Sequence, residues 1–288
     1  MRDLICWWSG GITSAVAGKK AQELYPNNPC RFIMLDTANE DEDTYRFKKD
    51  CEEWYGQEIE ILSYIGTKYK DIQDVWKRWN SLNIAKGAVC SAELKKNLRI
   101  NWQKDNDYLH QVFGFEFDKK EFQRAISMTL SHPETKPIFP LLLLGLSKKD
   151  CIKILEDDAI DIPRAYKMGF NNNNCLKTGC VQGGVGYWQK MKRDFPEKFE
   201  KMAKMEHYLT DRKQQPVTML KDQSSQAKKD NTTLVFLKKH PDYPLLKSID
   251  DMKGRAPEPL TDCNGFCGMN DLTKLPAAIK EINFEDMM

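Results

Sequence analysis

The chain predicts a parallel, doubly wound α/β sheet followed by a mostly helical C-terminal extension. Three observations carry that expectation. Short apolar runs alternate with segments of helical periodicity through the first half of the chain, the pattern of βαβ units around a parallel sheet. The first run, residues 4–8, stops at Ser9-Gly10-Gly11-Ile12-Thr13-Ser14, a strand–glycine turn–helix layout. The second ends in Asp36-Thr37, a polar pair at the carboxyl end of a buried strand, where open parallel sheets hold their ligands.

The elements follow in order. Residues 15–24 read as a helix with Ala17, Ala21 and Leu24 on one face. Residues 31–35 are a second strand. Residues 44–55 place Phe47, Cys51 and Trp54 at i, i+4, i+7 of an amphipathic helix. Residues 58–62 are a third strand, and residues 71–79 a helix whose Ile72, Val75, Trp76 and Trp79 form a packing stripe. Residues 111–115 are a short strand. The longest apolar run, residues 138–144, contains Pro140 and suits a further buried strand. Ser147 and Asp150 form a capping box that opens a helix through Leu155. Residues 171–186 are too rich in Asn and Gly for regular structure, and two helices follow, the second with Pro196 in its first turn. Residues 211–232 are polar and read as a linker or lid, residues 233–237 as a late strand, and residues 241–259, with four prolines, as irregular. The expected organisation is a nucleotide-binding α/β domain over 1–170, a cysteine/glycine loop with helices packed on it over 171–210, and a linker plus irregular segment over 211–288.

A chain of 288 residues with 41% hydrophobic content holds one large α/β domain plus an appendage, or two small domains. The net charge of +2 excludes a strong bulk field toward nucleic acid or membrane. No apolar run approaches the roughly 18 residues of a membrane span, and the N-terminus shows no signal-peptide pattern, so a cytoplasmic protein is expected. Nine cysteines, an odd number, do not read as a disulfide framework in such a chain. Cys6, Cys30, Cys51 and Cys151 sit in apolar segments as small hydrophobes. Cys90, Cys175, Cys180, Cys263 and Cys267 sit in polar or glycine-rich contexts.

The glycine turn has the chemistry of an anion cradle. Glycines let backbone approach the ligand, the new helix aims unpaired N–H groups and its positive end at it, and Ser9, Thr13 and Ser14 add hydroxyls. Neither the G-x-x-x-x-G-K-[ST] nor the G-x-G-x-x-G spacing is present. Further on, Lys95 and Arg99 stand at i, i+4 of a helix beside Lys96, a cationic group suited to phosphate or sulfate, or a solvated helix face. Cys175-x4-Cys180 and Cys263-x3-Cys267 lie among glycines, which allow thiolates to converge on Zn²⁺ or a [4Fe–4S] cluster. Free thiols in glycine turns are the alternative.

The residues 9–14 loop resembles the S-G-G-x-[DT]-S pyrophosphate loop of the adenine nucleotide alpha-hydrolase-like superfamily, the HUP-type PP-loop ATP pyrophosphatases, with Thr13 where Asp is usual. Asp36-Thr37-Ala38 is similar to the Asp-Thr-Gly corner of its PAPS reductase-like branch, with Ala38 for glycine. The run from Pro140 through Ser147 and Asp150, and the segment Ile162-Pro163-Arg164-Ala165-Tyr166-Lys167-Met168-Gly169-Phe170, resemble scaffold motifs of the same branch, as found in phages and bacteria. The resemblance covers residues 3–209.

It implies an adenine nucleotide, ATP or a PAPS-type compound, bound with Mg²⁺ by Ser9, Gly10, Gly11, Thr13, Ser14, Asp36, Thr37, Lys96, Arg99, Gly114 and Arg124, with Glu116 the nearby acid. Cys90 and Lys95 match the branch's cysteine followed by a nucleotide-facing lysine, and are the implied catalytic pair. Metal ligands are either Cys175, Cys180, Cys263 and Cys267, or the set implied by iron–sulfur relatives, Cys90 with Cys175 and Cys180, where Ser91 replaces an adjacent ligand. If Cys90 is not a ligand, a thiol beside Lys95 and Arg99 has a lowered pKa and can attack sulfur. The implied activity is adenylylation of an acceptor with release of pyrophosphate and linked sulfur transfer. Alternatives are reductive cleavage of PAPS or APS to sulfite, and a non-catalytic nucleotide sensor. The reductases' Glu-Cys-Gly-Leu-His motif is absent, which argues against a sulfate-assimilation reductase. Partners implied are a nucleic-acid acceptor, met by Lys119, Lys120, Arg124, Lys190, Lys192 and Arg193, or a thiol reductant. The oligomeric state is left open, a homodimer included, and a phage-encoded chain would work in its host's cytoplasm.

Overall fold

The computed structural model describes residues 2–84, 87–173 and 175–258. Its centre is a five-stranded sheet built from β1 (Leu4–Trp7), β2 (Cys30–Leu35), β3 (Ile59–Leu62), β6 (His110–Val112) and β7 (Pro137–Ile138), in the order β3-β2-β1-β6-β7. Every pairing in it is parallel. A two-stranded hairpin, β4 (Asn83–Ile84) and β5 (Gly87–Ala88), lies between β3 and β6 in sequence. The chain fills the β1-β2-β3 side first and then crosses to the other side of β1. That reversal puts the topological switch point between β1 and β6, where the carboxyl ends of the two strands leave a crevice.

The sheet is covered on both faces, as the doubly wound expectation requires. Successive side chains of a strand point to opposite faces. Leu4, Cys6, Phe32 and Met34 accordingly pack with Ile12, Ala15 and Val16 of α1 (Ile12–Leu24), Phe47 and Cys51 of α2 (Glu42–Tyr55), and Cys151 and Leu155 further along. Ile5, Trp7, Ile33 and Leu35 pack on the other face with Leu98, Phe113, Phe115, Ala125 and Met128. After β3, α3 (Ile72–Trp79) buries Val75 and Trp76, whereas Trp79, which the stripe also includes, is 51% exposed. The α2 helix is capped by Asp41 and ends at Gly56 in the left-handed conformation, which glycine adopts without strain.

Where sequence and structure differ, the reason is local chemistry. The run 138–144 is not one strand. β7 ends at Ile138, and Pro140, whose fixed φ suits a first helical turn, opens the short α7 (Pro140–Leu143). The run is also only partly buried: Leu143 is 71% exposed. The segment carrying Lys95 is not a uniform α-helix. α4 (Val89–Ser91) passes through a π-helical stretch, Ala92–Lys96, into α5 (Asn97–Asp105). Then come α6 (Lys119–Ser131), α8 (Lys148–Asp157), α9 (Arg164–Lys167), α10 (Val185–Asp194) and α11 (Pro196–Lys213). The Ser147/Asp150 capping box is present at α8.

The polar stretch 211–232 is no linker. It completes α11, supplies β8 (Leu220–Lys221) and α12 (Ser225–Lys229), and joins β9 (Leu234–Phe236) and β10 (Lys247–Ser248) in a small sheet. Val217, Met219, Leu220 and Ala227 are its buried apolar residues, too widely spaced to show a period. Glu206 of α11 helps fasten this sheet, its buried carboxyl accepting the backbone N–H groups of Met219 at 2.8 Å and Leu237 at 2.7 Å. As far as residue 258, the C-terminal region is therefore helical with a small sheet on it.

Candidate functional site

The turn after β1 is held from within. Ser14 Oγ accepts from Ser9 N at 3.1 Å and lies 3.0 Å from Ser9 Oγ, and it donates to the Gly11 carbonyl at 2.8 Å. The Ser14 hydroxyl thus serves the shape of the turn. Ile12 N donates to the Tyr166 hydroxyl at 3.3 Å. Two amides of the turn, Ser9 and Ile12, are therefore bonded inward. Those of Gly10, Gly11, Thr13 and Ser14 have no acceptor among the described residues, and they cluster at the positive end of the 13-residue α1 helix. Gly10 needs its left-handed φ of +86°, and a Cβ there would also stand 2.8 Å from Thr44 Cγ2.

Gly114 lies just past β6, across the switch point. A Cβ on it would sit 2.6 Å from both Ser14 Cα and Ser14 N. Its place in the site is close backbone approach: the glycine lets the β6 exit press against the start of α1. Arg124, buried in α6, donates to Glu121 at 2.6 and 2.5 Å and lies over the Phe115 ring, 4.5 Å from its centroid. Its charge is balanced locally.

The second corner lies beside the turn. Asp36 accepts from the Tyr45 hydroxyl at 2.9 and 3.0 Å and from Ala38 N at 2.8 Å. Ala38 takes a φ of +54°, a left-handed conformation that glycine adopts more readily than a residue with a Cβ. Thr37 Oγ1 donates to Glu40 Oε2 at 2.5 Å and lies 3.7 Å from Cys175 Sγ. Lys95 Nζ is 3.9 Å from Glu40 Oε1. Burial raises the Glu40 carboxyl above its ordinary range, against the opposing pull of Lys95. Burial, followed by the charge of Glu40, pushes the Cys175 thiol up to about 11. Tyr45 is raised chiefly by burial and then by Asp36.

The loop after α9 is sewn onto both corners. Asn173 Nδ2 donates to the Gly10 carbonyl at 2.8 Å and to Thr44 Oγ1 at 3.0 Å. Lys177 N donates to the Asn39 carbonyl, Lys177 Nζ to the Ala38 carbonyl, and Asn39 Nδ2 to Thr178 Oγ1. Cys180 N donates to the buried Tyr187 hydroxyl at 3.0 Å. The structure thus gathers Ser9 to Ser14, Asp36, Thr37, Lys95, Gly114 and Cys175 around one end of the sheet. Arg99 is buried and donates to Gln103, Lys96 is half-buried, and Cys90 lies in the hydrophobic cluster with Tyr187 and Trp188. Three participants were not singled out from the sequence. Glu40 and Tyr45 flank the Asp36 corner, and Asn173 hides within a run of asparagines.

Cys263 and Cys267 lie outside the described residues. Among the described residues, a trio of His, Cys, Asp or Glu ligand atoms within 4.8 Å of one another occurs at Asp211, His240 and Asp242, and it contains no cysteine. There the His240 ring is already occupied: Nδ1 accepts Asp242 N–H at 3.2 Å and Nε2 faces Asp211 at 3.0 Å. Cys175 and Cys180 are half-buried thiols, neither in a disulfide, set in the loop that packs on the Asp36 corner, a donor type that suits zinc or an iron–sulfur cluster if further ligands are supplied. No helix of the described residues is long and apolar enough to cross a membrane.

A scan against protein-family models and a search of curated proteins found no match. Among solved structures, the chain is similar to the U34-tRNA thiolase NcsA from Methanococcus maripaludis with its [4Fe-4S] cluster, at 17% identity over 72% of each chain and a TM-score of 0.41.

Proposed function

We propose that the chain is an adenine-nucleotide-binding enzyme that adenylylates an acceptor oxygen with release of pyrophosphate, after which sulfide-level sulfur from a separate donor displaces AMP from the activated acceptor. The observation that carries this reading is the set of unbonded amides at Gly10, Gly11, Thr13 and Ser14. They lie at the start of α1, which follows β1 beside the β1/β6 switch point. Donors arranged this way suit an anion with several oxygens, and the glycines admit it at backbone distance. Lys95 stands beside the same crevice, paired with Glu40 at the loose distance of 3.9 Å. An incoming phosphate competes for that ammonium and gains from it as negative charge builds on the leaving group. Magnesium, when bound with the nucleotide, supplies further neutralisation of the phosphate charge. Cys175, whose Sγ lies 3.7 Å from Thr37 Oγ1, is a thiol at this corner, and it is the residue on which the sulfur-transfer part of the reading rests.

Calorimetric titration with ATP and Mg²⁺, and separately with pyrophosphate, tests the binding step. Saturable heats that compete with one another are expected, and no heat with either ligand sinks the reading. Chemistry is tested by incubating the protein with γ-labelled ATP and pools of small-molecule or RNA acceptors. Labelled pyrophosphate released only when an acceptor is present is the expected outcome. Sulfite formed from PAPS instead would place the activity with the reductive alternative.

A further inference from the structure

We infer that Asn173 is a positioning residue for the phosphate-binding turn: its side-chain amide holds the Gly10 carbonyl so that the N–H of Gly11 faces the crevice. This inference rests on the proposed nucleotide site. A peptide unit is planar and trans, so its C=O and N–H point in opposite directions. Fixing the Gly10 oxygen therefore fixes the Gly11 hydrogen. The next unit provides a contrast. Its Gly11 carbonyl accepts from Ser14 Oγ and its Ile12 N–H donates to Tyr166, so both ends are used within the protein. In the Gly10–Gly11 unit only the carbonyl is used, by Asn173 at 2.8 Å. The N–H end has no acceptor among the described residues.

Several features mark Asn173 as more than a packing residue. It is 4% exposed, and its Nδ2 hydrogens are divided between Gly10 O and Thr44 Oγ1. The amide orientation is settled by those acceptors, since Gly10 offers only a carbonyl. That leaves Oδ1 buried with no partner among the described residues. An unmet acceptor of this kind is ordinarily avoided in a protein interior. It is tolerated here beside a turn whose N–H groups also await a partner. Gly10 can accept this arrangement because its φ is +86°. The loop that brings Asn173 in is the one that carries Cys175, so phosphate grip and thiol placement depend on the same segment.

The test compares wild type, Asn173→Ala and Thr44→Val. Thr44→Val removes the other acceptor of the same amide while keeping the side-chain shape. For each, the affinities for ATP and for adenosine are measured, and their ratio reports what the phosphates contribute. The ratio is expected to fall about tenfold or more in Asn173→Ala, as when a charge-assisted hydrogen bond is misdirected, and to hold in Thr44→Val. An unchanged ratio in a folded Asn173→Ala protein overturns the inference while leaving the proposed function intact. Wild type that binds neither ligand overturns the proposed function itself. Should Asn173→Ala fail to fold, spectra of wild type labelled with ¹⁵N-glycine decide. The Gly11 signal is identified by its loss in Gly11→Ala, which a φ of −95° admits. With pyrophosphate at a concentration that calorimetry shows to saturate wild type, a shift of that signal supports the inference and its constancy overturns it.

Discussion

At the residue scale, the site depends on two positions where a methyl group decides the outcome. Gly114 faces backbone: a Cβ would stand 2.6 Å from Ser14 Cα and N, and 2.7 Å from Thr13 C. Neither β6 nor α1 can retreat without opening the sheet or the turn, so Gly114→Ala is expected to destabilise the fold by about 1–3 kcal/mol, the range for overpacking. The same change should loosen the residues 9–14 turn that we propose holds the phosphates. Thermal melts and ATP titration of the variant check both effects, and a variant with wild-type melting and affinity would remove Gly114 from the site. Ala38 is the converse case. It carries a Cβ at φ +54°, where the left-handed region costs an L-residue roughly 1–2 kcal/mol. Glycine there relieves that strain but also frees the unfolded chain by about 0.4–1 kcal/mol. Ala38→Gly is therefore expected to be neutral or slightly stabilising, by up to ~1 kcal/mol, in urea unfolding. A clear loss of stability would mean that the alanine methyl packs usefully at the corner.

At the element scale, the small C-terminal sheet is tied to α11 by the buried carboxyl of Glu206, beside the Val217 N–H bond to Thr210 Oγ1 and a shared apolar core. Burial pushes Glu206 up to about 8, against the opposing effect of the amide donors from Leu237 and Met219. A carboxyl raised in the folded state holds its proton where the unfolded chain has lost it. Its stabilising contribution is full below the unfolded value near 4.5 and fades as pH rises through about 8. Glu206→Gln presents an NH₂ to one of the two backbone donors and leaves that donor unmet, a loss of about 1–3 kcal/mol at pH 5. The penalty should shrink by pH 8.5, where the wild type carries the buried charge. Urea unfolding at the two pH values checks this, and parallel pH profiles for the two proteins would contradict it. This attachment was invisible in the sequence because a helix glutamate looks like any solvated residue until another element covers it. The main elements were legible for the opposite reason. The β1 run, the glycine stop, the periodicity of α2 and the Ser147/Asp150 box are encoded in neighbouring residues. Asp36, Thr37 and the residues 9–14 turn could be placed on one sheet edge because parallel topology leaves little choice. The π-helical stretch that aims Lys95 at Glu40, and the reach of Asn173 to Gly10, arise from contacts between distant segments. Local spacing does not carry them.

At the scale of the whole molecule, the C-terminal region shares a core with the first half of the chain. One hydrophobic cluster runs from Tyr69, Trp76, Leu82 and Leu94 through Phe170 and Trp188 to Val235, Leu237 and Ile249. Polar ties run alongside it: Arg212 donates to the Lys77 carbonyl, Asn83 to the Thr218 carbonyl, and Gln189 to the carbonyls of Met252 and Lys253. The helix α10, which follows the cysteine loop, has its first amides met by the carboxylate of Glu258, Gly186 N and Tyr187 N each at 3.2 Å from it. Removing residues 214–288 would take away the small sheet. The entropy of ordering that sheet offsets much of its own burial, but what remains has no such compensation. Glu206 would lose both backbone donors, and Val75, Trp76, Leu82 and Leu209 would lose part of a shared core. Each buried aliphatic side chain is worth about 1.5–3 kcal/mol, and a domain's whole stability is only about 5–15 kcal/mol. A chain ending at residue 213 is therefore expected to melt at least ~10 °C below the full chain, given roughly 2–4 °C per kcal/mol for a chain of this size, or to be recovered only as aggregate. Circular-dichroism melts of the two chains decide the matter: a shortened chain with an unchanged midpoint would show the five-stranded sheet and its helices to be self-sufficient.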